Sequence, residues 1–135
     1  MTKRKIKYKA GYKYQLVEDY QLDCGLTGYM LNNGYLALDF DGLLTIRAGY
    51  AWDGPSGPTV DTKSFMRGSL VHDALYQLLG LGMIGINHRK AVDALLRKLC
   101  REDGMPAIRA WWVYQGVRFG GGAALEQDNF ILTAP

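Results

Sequence analysis

The segment SLVHDALYQ, residues 69–77, places a histidine beside an aspartate inside an apolar run. His72 is one of only two histidines in a chain of 135 residues. A histidine acts as a general base when a carboxylate accepts a hydrogen bond from one ring nitrogen and leaves the other unprotonated. On a helix, Tyr76 lies on the same face as His72, one turn later, whereas Asp73 points about 100° away. The segment therefore offers a candidate base and two side chains that can meet different partners.

A carboxylate partner for His72 comes from the second predicted helix. Asp93 lies in the sequence HRKAVDALL, near the start of that helix. If the two helices pack antiparallel across the short connection GLGMIGIN, Asp93 lies beside the turn that carries His72, and Tyr76 can donate to the same carboxylate. The structural alternative is that His72 is an inert buried histidine and that Asp93 pairs with Arg89 and Arg97 on its own helix.

A loop rich in glycine and proline, DGPSGPTVD, occupies residues 53–61 before the first helix. It brings backbone carbonyl groups and the carboxylate of Asp53 towards Asp73. Carboxylate and carbonyl oxygens are the ligands that calcium prefers. The loop and Asp73 therefore offer an oxygen environment that suits a hard cation such as calcium. The alternative is that Asp73 forms a salt bridge with Arg67 or Arg118.

The order of these residues resembles that of the phospholipase A-two superfamily. HDALY followed by AVD matches its His-Asp-x-x-Tyr … Asp pattern. DGPSGP stands where compact members, such as those in parvovirus capsid proteins, have a Gly-Pro-Gly-type calcium loop. The resemblance covers residues 53–100. It departs from secreted members at the cysteines that flank the His-Asp pair, because Val71 and Leu75 stand in their places.

The resemblance implies a role for each matching residue. The general base, its carboxylate partner and the tyrosine that orients this partner are His72, Asp93 and Tyr76. A calcium ion would take Asp73 as its side-chain ligand, and the backbone of Gly54 and Gly57 would hold the metal and the oxyanion. The implied activity is calcium-dependent hydrolysis of lipid esters, with a lipid or membrane surface as the partner.

A longer part of the chain resembles a second family. The segments GYAWDGPSGP, VHDALY, HRKAVDALL and WWVYQGVRFGG follow one another between about residues 46 and 121. This order is similar to that of small bacterial and phage proteins catalogued as domain of unknown function 1353. The resemblance implies a phage or prophage origin, a location in the host cytoplasm or the virion, and other phage proteins as partners. This second resemblance implies no enzymatic activity. The alternative to a hydrolase is a virion or tail protein in which the His-Asp cluster only stabilises the fold.

The strands and helices predicted to position these residues form a single α+β domain, residues 1–135. Residues 5–17 alternate with period two, with tyrosines on one face and lysines on the other, as in a half-buried strand. Residues 35–52 predict a hairpin around the pair Asp41-Gly42, which suits a tight two-residue turn.

This pattern divides the chain into four regions. They are an antiparallel β region at 1–52, a Gly/Pro loop at 53–62, three helices within 63–121 and a C-terminal tail at 122–135. The helices are predicted from Asp61 or Thr62 to Leu79, from His88 after an Asn87 cap to Glu102, and from Ala107 to Phe119. Gly80 and the glycines at 120–122 are the expected stops. The first two helices form the antiparallel pair, and the tail docks on the domain or on a neighbour.

The basic character belongs to the N-terminal segment. Six cations and no acid fall within the first 13 residues, whereas the rest of the chain holds ten cations and 13 acids. The lysine face of the first strand could bind phosphate groups of nucleic acid or of an anionic membrane. Lysines on a strand also discourage edge-to-edge pairing. We favour the second interpretation, so nucleic acid is not an expected partner.

Several other classes of protein are disfavoured. No apolar run is long enough for a membrane span, and no signal-peptide core follows the basic N-terminus. The two cysteines do not make a disulfide framework and are expected to be free thiols. An HD-type phosphohydrolase needs further histidines before the His-Asp pair. A zinc site would have to draw on residues that lack ligand spacing, namely Cys24, His72, His88 and Cys100.

Overall fold

The computed structural model describes residues 5–9, 14–52 and 63–133, and the side chains of the last range up to residue 120. The chain divides into two compact units, Met1–Asp61 and Thr62–Pro135. Antiparallel strands followed by three helices confirm the predicted α+β fold class.

Short antiparallel strands in two sheets make up the described part of the first unit. The strands are β1 (Tyr8–Lys9), β2 (Tyr14–Leu16), β3 (Tyr20–Asp23), β4 (Leu31–Asn32), β5 (Leu36–Leu38), β6 (Leu43–Ile46) and β7 (Ala51–Trp52). One sheet has the order β1-β2-β7 and the other the order β3-β6-β5-β4. Alternate apolar residues of β5 and β6 are buried, as the two-residue period of a strand requires.

The N-terminal strand predicted over residues 5–17 is two strands that pair with each other. Tyr8 of β1 lies opposite Leu16 of β2, and residues 10–13 between the strands lie outside the described residues. The rings of Tyr8, Tyr14 and Trp52 cluster, with centroids 5.6–5.8 Å apart. The tyrosine face of the alternation therefore packs on Trp52. On the lysine face, Lys7 lies at the surface, 3.7 Å from Glu18.

The predicted hairpin of residues 35–52 is correct in its first part, where β5 pairs with β6. The turn is longer than the predicted two residues: Gly42 has a positive φ of 92°, and the Asp39 carboxylate accepts hydrogen bonds from the N–H groups of Asp41 and Leu43. The second arm ends at Ile46. The chain then turns through Gly49, whose φ is 96°, so β7 pairs with β2 in the other sheet.

The second unit contains α1 (Lys63–Gly80), a short 3₁₀ helix (Ile86–His88), α2 (Arg89–Glu102) and α3 (Ala107–Thr133). The antiparallel pairing predicted for the first two helices is confirmed by the packing of α1 on α2. The predicted Asn87 cap is wrong. Asn87 lies inside the 3₁₀ helix, and the residue that precedes α2 is His88, whose side chain makes no capping hydrogen bond.

The third helix does not stop at the glycines at 120–122, as predicted, but continues to Thr133 through most of the expected tail. Glycine costs a helix about 1 kcal/mol relative to alanine, yet it keeps its N–H donor and so leaves the backbone hydrogen bonds intact. None of the helices in the described part of the chain has the length and apolar content needed to cross a bilayer.

Close packing at Gly68 and ion pairs of the buried Arg67 join α1 to α2. A methyl group at Gly68 would lie 3.0 Å from the Cys100 sulfur and 3.0 Å from Leu96 Cδ1, so glycine permits the close approach. The buried Arg67 guanidinium donates to Glu102 at 2.7 Å and to Asp103 at 2.9 Å. Residues of all three helices then form a core that consists of Phe65, Leu96, Cys100, Met105, Ala110 and Val113.

Candidate functional site

The antiparallel pairing of α1 and α2 brings His72 and Asp93 together. His72 Nε2 lies 2.8 Å from Asp93 Oδ1, and the Tyr76 hydroxyl donates to the same oxygen at 2.6 Å. The rings of His72 and Tyr76, one turn apart on α1, are tilted by 33° with centroids 4.1 Å apart. The three residues predicted as the catalytic group therefore lie in one hydrogen-bonded cluster.

Asp93 is completely buried, with a side-chain exposure of 0%. Its second oxygen, Oδ2, accepts a hydrogen bond of 2.8 Å from Nη1 of Arg118 on α3. Burial raises the pKa of Asp93, but the hydrogen bonds from His72, Tyr76 and Arg118 outweigh burial and leave the pKa below its usual value. Asp93 is therefore an ionised carboxylate at neutral pH, and Nε2 of His72 donates to it.

Arg89 holds the tyrosine from the other side. Its Nε donates to the Tyr76 hydroxyl at 3.2 Å, and its Nη2 donates to the backbone oxygen of Arg118 at 2.6 Å. Burial, followed by the hydrogen bond to Asp93, raises the pKa of Tyr76 to about 12, although Arg89 acts in the opposite direction. Tyr76 therefore keeps its proton at neutral pH and remains a donor to Asp93.

His72 keeps one ring nitrogen for other partners. Among the residues that the structure describes, none forms a hydrogen bond with Nδ1, and 14% of the side chain is exposed. A neutral imidazole that donates through Nε2 carries its lone pair on Nδ1. The cluster thus presents a basic nitrogen, held in one tautomer by a buried carboxylate.

The sequence did not single out two arginines as members of the site. The sequence offers Arg89 as an ion-pair partner of Asp93 and Arg118 as a partner of Asp73. In the structure Arg118 bonds Asp93, Arg89 bonds Tyr76, and Arg97 lies over the ring of Tyr114. Arg67, the other possible partner of Asp73, forms salt bridges with Glu102 and Asp103 at the C-terminal end of α2. The signal that could have found Arg118 is its helical position, on the side of α3 next to the partly buried Val117.

The residues predicted to hold calcium are mostly outside the described part of the chain. Asp53, Gly54 and Gly57 belong to residues 53–62, which the structure does not describe. Asp73 lies exposed on α1, beside His72 in sequence. Within the described ranges, no three histidine, cysteine, aspartate or glutamate side chains come close enough to hold a metal ion. Cys24 and Cys100 are free thiols, as predicted.

Comparison with known proteins identifies the chain by family. No curated protein and no solved structure matches it. Residues 35–117 match the family described as protein of unknown function (DUF1353). The match covers more than half of the chain and includes His72, Tyr76, Arg89 and Asp93, and it ends one residue before Arg118. The chain therefore belongs to the DUF1353 family.

Proposed function

We propose that this chain is a hydrolase in which His72 activates a water molecule for attack on an ester. The observation that carries the proposal is the orientation of the imidazole: Nε2 is bound to a buried carboxylate, and Nδ1 has no hydrogen-bond partner among the described residues. A positioned base of this kind contributes about 10²- to 10⁴-fold to a hydrolytic rate.

The proton transfers follow from this orientation. Nδ1 of His72 accepts a proton from water while the water oxygen bonds to the ester carbonyl carbon. The imidazolium that forms is stabilised by Asp93, which keeps its negative charge because its pKa is lowered. When the tetrahedral intermediate collapses, the carbon–oxygen bond of the leaving group breaks and the imidazolium returns its proton to the departing alkoxide. The products are a carboxylic acid and an alcohol.

Tyr76 and Arg118 act on Asp93 rather than on substrate. Both donate hydrogen bonds to its oxygens and so keep the carboxylate oriented towards the imidazole. The positive charge of Arg118 also offsets part of the attraction between Asp93 and the imidazolium. We expect Tyr76 and Arg118 to be positioning residues, whose loss lowers the rate less than loss of His72.

Lipid esters are the proposed substrate class, on the basis of the similarity to the phospholipase A-two superfamily. Calcium is the proposed metal, with Asp73, Asp53, Gly54 and Gly57 as its ligands. Because Asp73 is the only one of these that the structure describes, the proton-transfer steps above do not include the metal. Calcium titration of the full chain by calorimetry tests this part: we expect binding in the wild type and none in Asp73→Asn. Binding that survives in Asp73→Asn would remove Asp73 from the ligand set.

The activity is tested by hydrolysis of a fluorogenic phospholipid ester by the purified chain in the presence of calcium. We expect His72→Ala to lower the rate by at least 10²-fold and added imidazole to restore part of it. His88→Ala is the matched control, because His88 is the other histidine and lies in the 3₁₀ helix. Equal rates for the wild type and His72→Ala, or no hydrolysis by the wild type, would refute the proposal.

The second candidate is a non-enzymatic phage virion or tail protein that uses the cluster for structure. The observation that favours it is the way the cluster joins all three helices, since Asp93 of α2 bonds residues of α1 and α3. In that case His72→Ala would lower the free energy of unfolding without any loss of turnover. The chain would then be found in purified particles, bound to other phage proteins.

A further inference from the structure

Arg89 carries a positive charge that no acid among the described residues balances. Its side chain is partly buried, and the groups that accept its hydrogen bonds are all neutral. They are the Tyr76 hydroxyl at 3.2 Å and the backbone oxygens of Val117 and Arg118 at 3.4 and 2.6 Å. Its Nη1 atom bonds no residue that the structure describes. A cation taken out of water is costly without an anionic partner, so this guanidinium calls for an explanation that the proposed chemistry does not give.

The hydrogen-bonded cluster as a whole has more positive than negative charge. Arg89 and Arg118 are permanent cations, whereas Asp93 is the one acid in the network of described side chains. Arg118 shares that carboxylate with His72 and Tyr76. The Nε and Nη2 atoms of Arg118 have no hydrogen-bond partner in the described ranges. Even when the ion pair between Arg118 and Asp93 is counted in full, one positive charge is left over.

Other acids of the second unit do not supply the missing charge. They are Asp73, Glu102, Asp103, Glu126 and Asp128. Glu102 and Asp103 form salt bridges with Arg67 at the opposite end of α2, and the first turn of α2, where Arg89 lies, contains no acid. The exposed acid of α1 makes no ion pair with Arg89. The two acids of α3 follow Arg118 by more than two helical turns, and their side chains lie outside the described residues.

We propose that Arg89 and Arg118 bind a phosphate group where α2 meets α3. The two arginines are neighbours, because Arg89 donates to the backbone oxygen of Arg118. The unpaired N–H groups are divided between two side chains, and a phosphate has enough acceptor oxygens to bond both at once. A carboxylate, with two oxygens, matches the fork of a single guanidinium. The division of the donors therefore favours phosphate over carboxylate.

Titration of the full chain with inorganic phosphate, followed by the backbone N–H signals in NMR spectra, tests the site. Ionic strength and pH are held constant, and acetate is titrated in parallel. We expect saturable changes around residues 89 and 118 with phosphate, and weaker binding of acetate. Glycerol 3-phosphate is the third probe. If it binds more tightly than inorganic phosphate, the site takes the phosphate of an organic ligand; if it binds less tightly, the site takes the free ion.

Substitutions on α2 then locate the site. Arg89→Met removes the charge but keeps most of the length of the side chain, and we expect it to weaken phosphate binding by about tenfold or more. Arg89→Lys keeps the charge without the planar fork and should bind with intermediate affinity. Arg97→Met is the matched control, since Arg97 is exposed on the same helix and lies over the ring of Tyr114. The same spectra show whether each variant is folded, and Arg89→Lys replaces Arg89→Met in the comparison if the latter is not.

Three results would overturn the inference. The first is a wild-type chain that shows no saturable binding of phosphate. The second is phosphate binding that is as tight in the folded Arg89 variants as in Arg97→Met. The third is acetate binding as tight as phosphate binding, which would assign the cluster a carboxylate ligand instead. None of these measurements involves turnover, so a chain that binds phosphate but hydrolyses no ester would refute the proposed function alone.

Discussion

Replacement of Asp93 by alanine should destabilise the helical unit more than any other single change in the site. The carboxylate is fully buried and accepts hydrogen bonds from His72, Tyr76 and Arg118. Arg118 is a cation, and His72 becomes one when it is protonated. Removal of one partner of a buried ion pair costs about 3–5 kcal/mol. Arg118 and His72 are 29% and 14% exposed, so water can partly replace Asp93. We therefore expect a loss of about 3 kcal/mol, at the low end of that range.

Chemical denaturation followed by the helical circular dichroism signal measures this loss, because the described helices all lie in the second unit. Tyr76→Phe removes one of the three donors and should cost about 2 kcal/mol. Asp73→Ala is the control on the same site, since Asp73 is exposed and even a surface ion pair contributes about 1 kcal/mol or less. A loss below about 1 kcal/mol for Asp93→Ala would contradict the assigned stabilising role.

The same carboxylate gives the stability a definite pH dependence. The pKa of Asp93 in the folded chain lies below its ordinary value of 3.8, so the folded state binds its proton more weakly than the unfolded state. The ionised carboxylate of Asp93 therefore contributes fully to the free energy of unfolding above pH 3.8, and this contribution is lost as the pH falls through the lowered pKa of the folded state. In Asp93→Asn this acid-dependent loss should be absent, so the stabilities of wild type and variant should converge below pH 3.8. A constant difference would show that Asp93 is not ionised in the folded protein.

The remaining predictions concern the packing of the helices. Gly68→Ala should cost about 1–3 kcal/mol in denaturation, because its methyl group would press on Cys100 and Leu96, both 3.0 Å away. Gly116→Ala should stabilise by about 0.5–1 kcal/mol, because no atom lies within 4 Å of the new methyl group. A loss in both variants would point to a general intolerance of helix substitution. Burial raises the pKa of Cys100 to about 12, so iodoacetamide should label this thiol only after unfolding. Labelling of the native protein at neutral pH would show that the core opens there.

The cluster around His72 could be predicted where short-range rules applied. The spacing of His72 and Tyr76 is fixed by the helical repeat, and a short connection between two helices brings Asp93 back to them. Arg118 lies 25 residues beyond Asp93, and its contact depends on the direction in which α3 crosses the pair. The hydrophobic periodicity of one helix does not determine the direction in which that helix crosses its neighbours. The sequence therefore predicted His72, Tyr76 and Asp93 on the paired helices, and missed Arg118 on the third helix and the contact of Arg89 with Tyr76.

Errors in the elements have similar physical causes. A two-residue period cannot distinguish one strand over residues 5–17 from two paired strands, because Tyr8 and Leu16 fall on the same face in either case. The glycines at 120–122 lower helix propensity but do not remove a hydrogen-bond donor, so they do not force α3 to end. In the first case the pairing of β1 with β2 decides the outcome, and in the second the weak helix preference of glycine is not enough to end the helix.

The position of Asp93 at the meeting point of three helices has a consequence for comparisons within the family. A chain that loses this carboxylate loses stability first, so selection for a folded protein is enough to retain it after any activity has lapsed. The imidazole of His72 lies at the edge of the network, donates a single hydrogen bond, and could be replaced at a smaller cost in folding. Under the proposed hydrolase function, variation at residue 72 against a constant residue 93 would therefore mark lineages that keep only the scaffold.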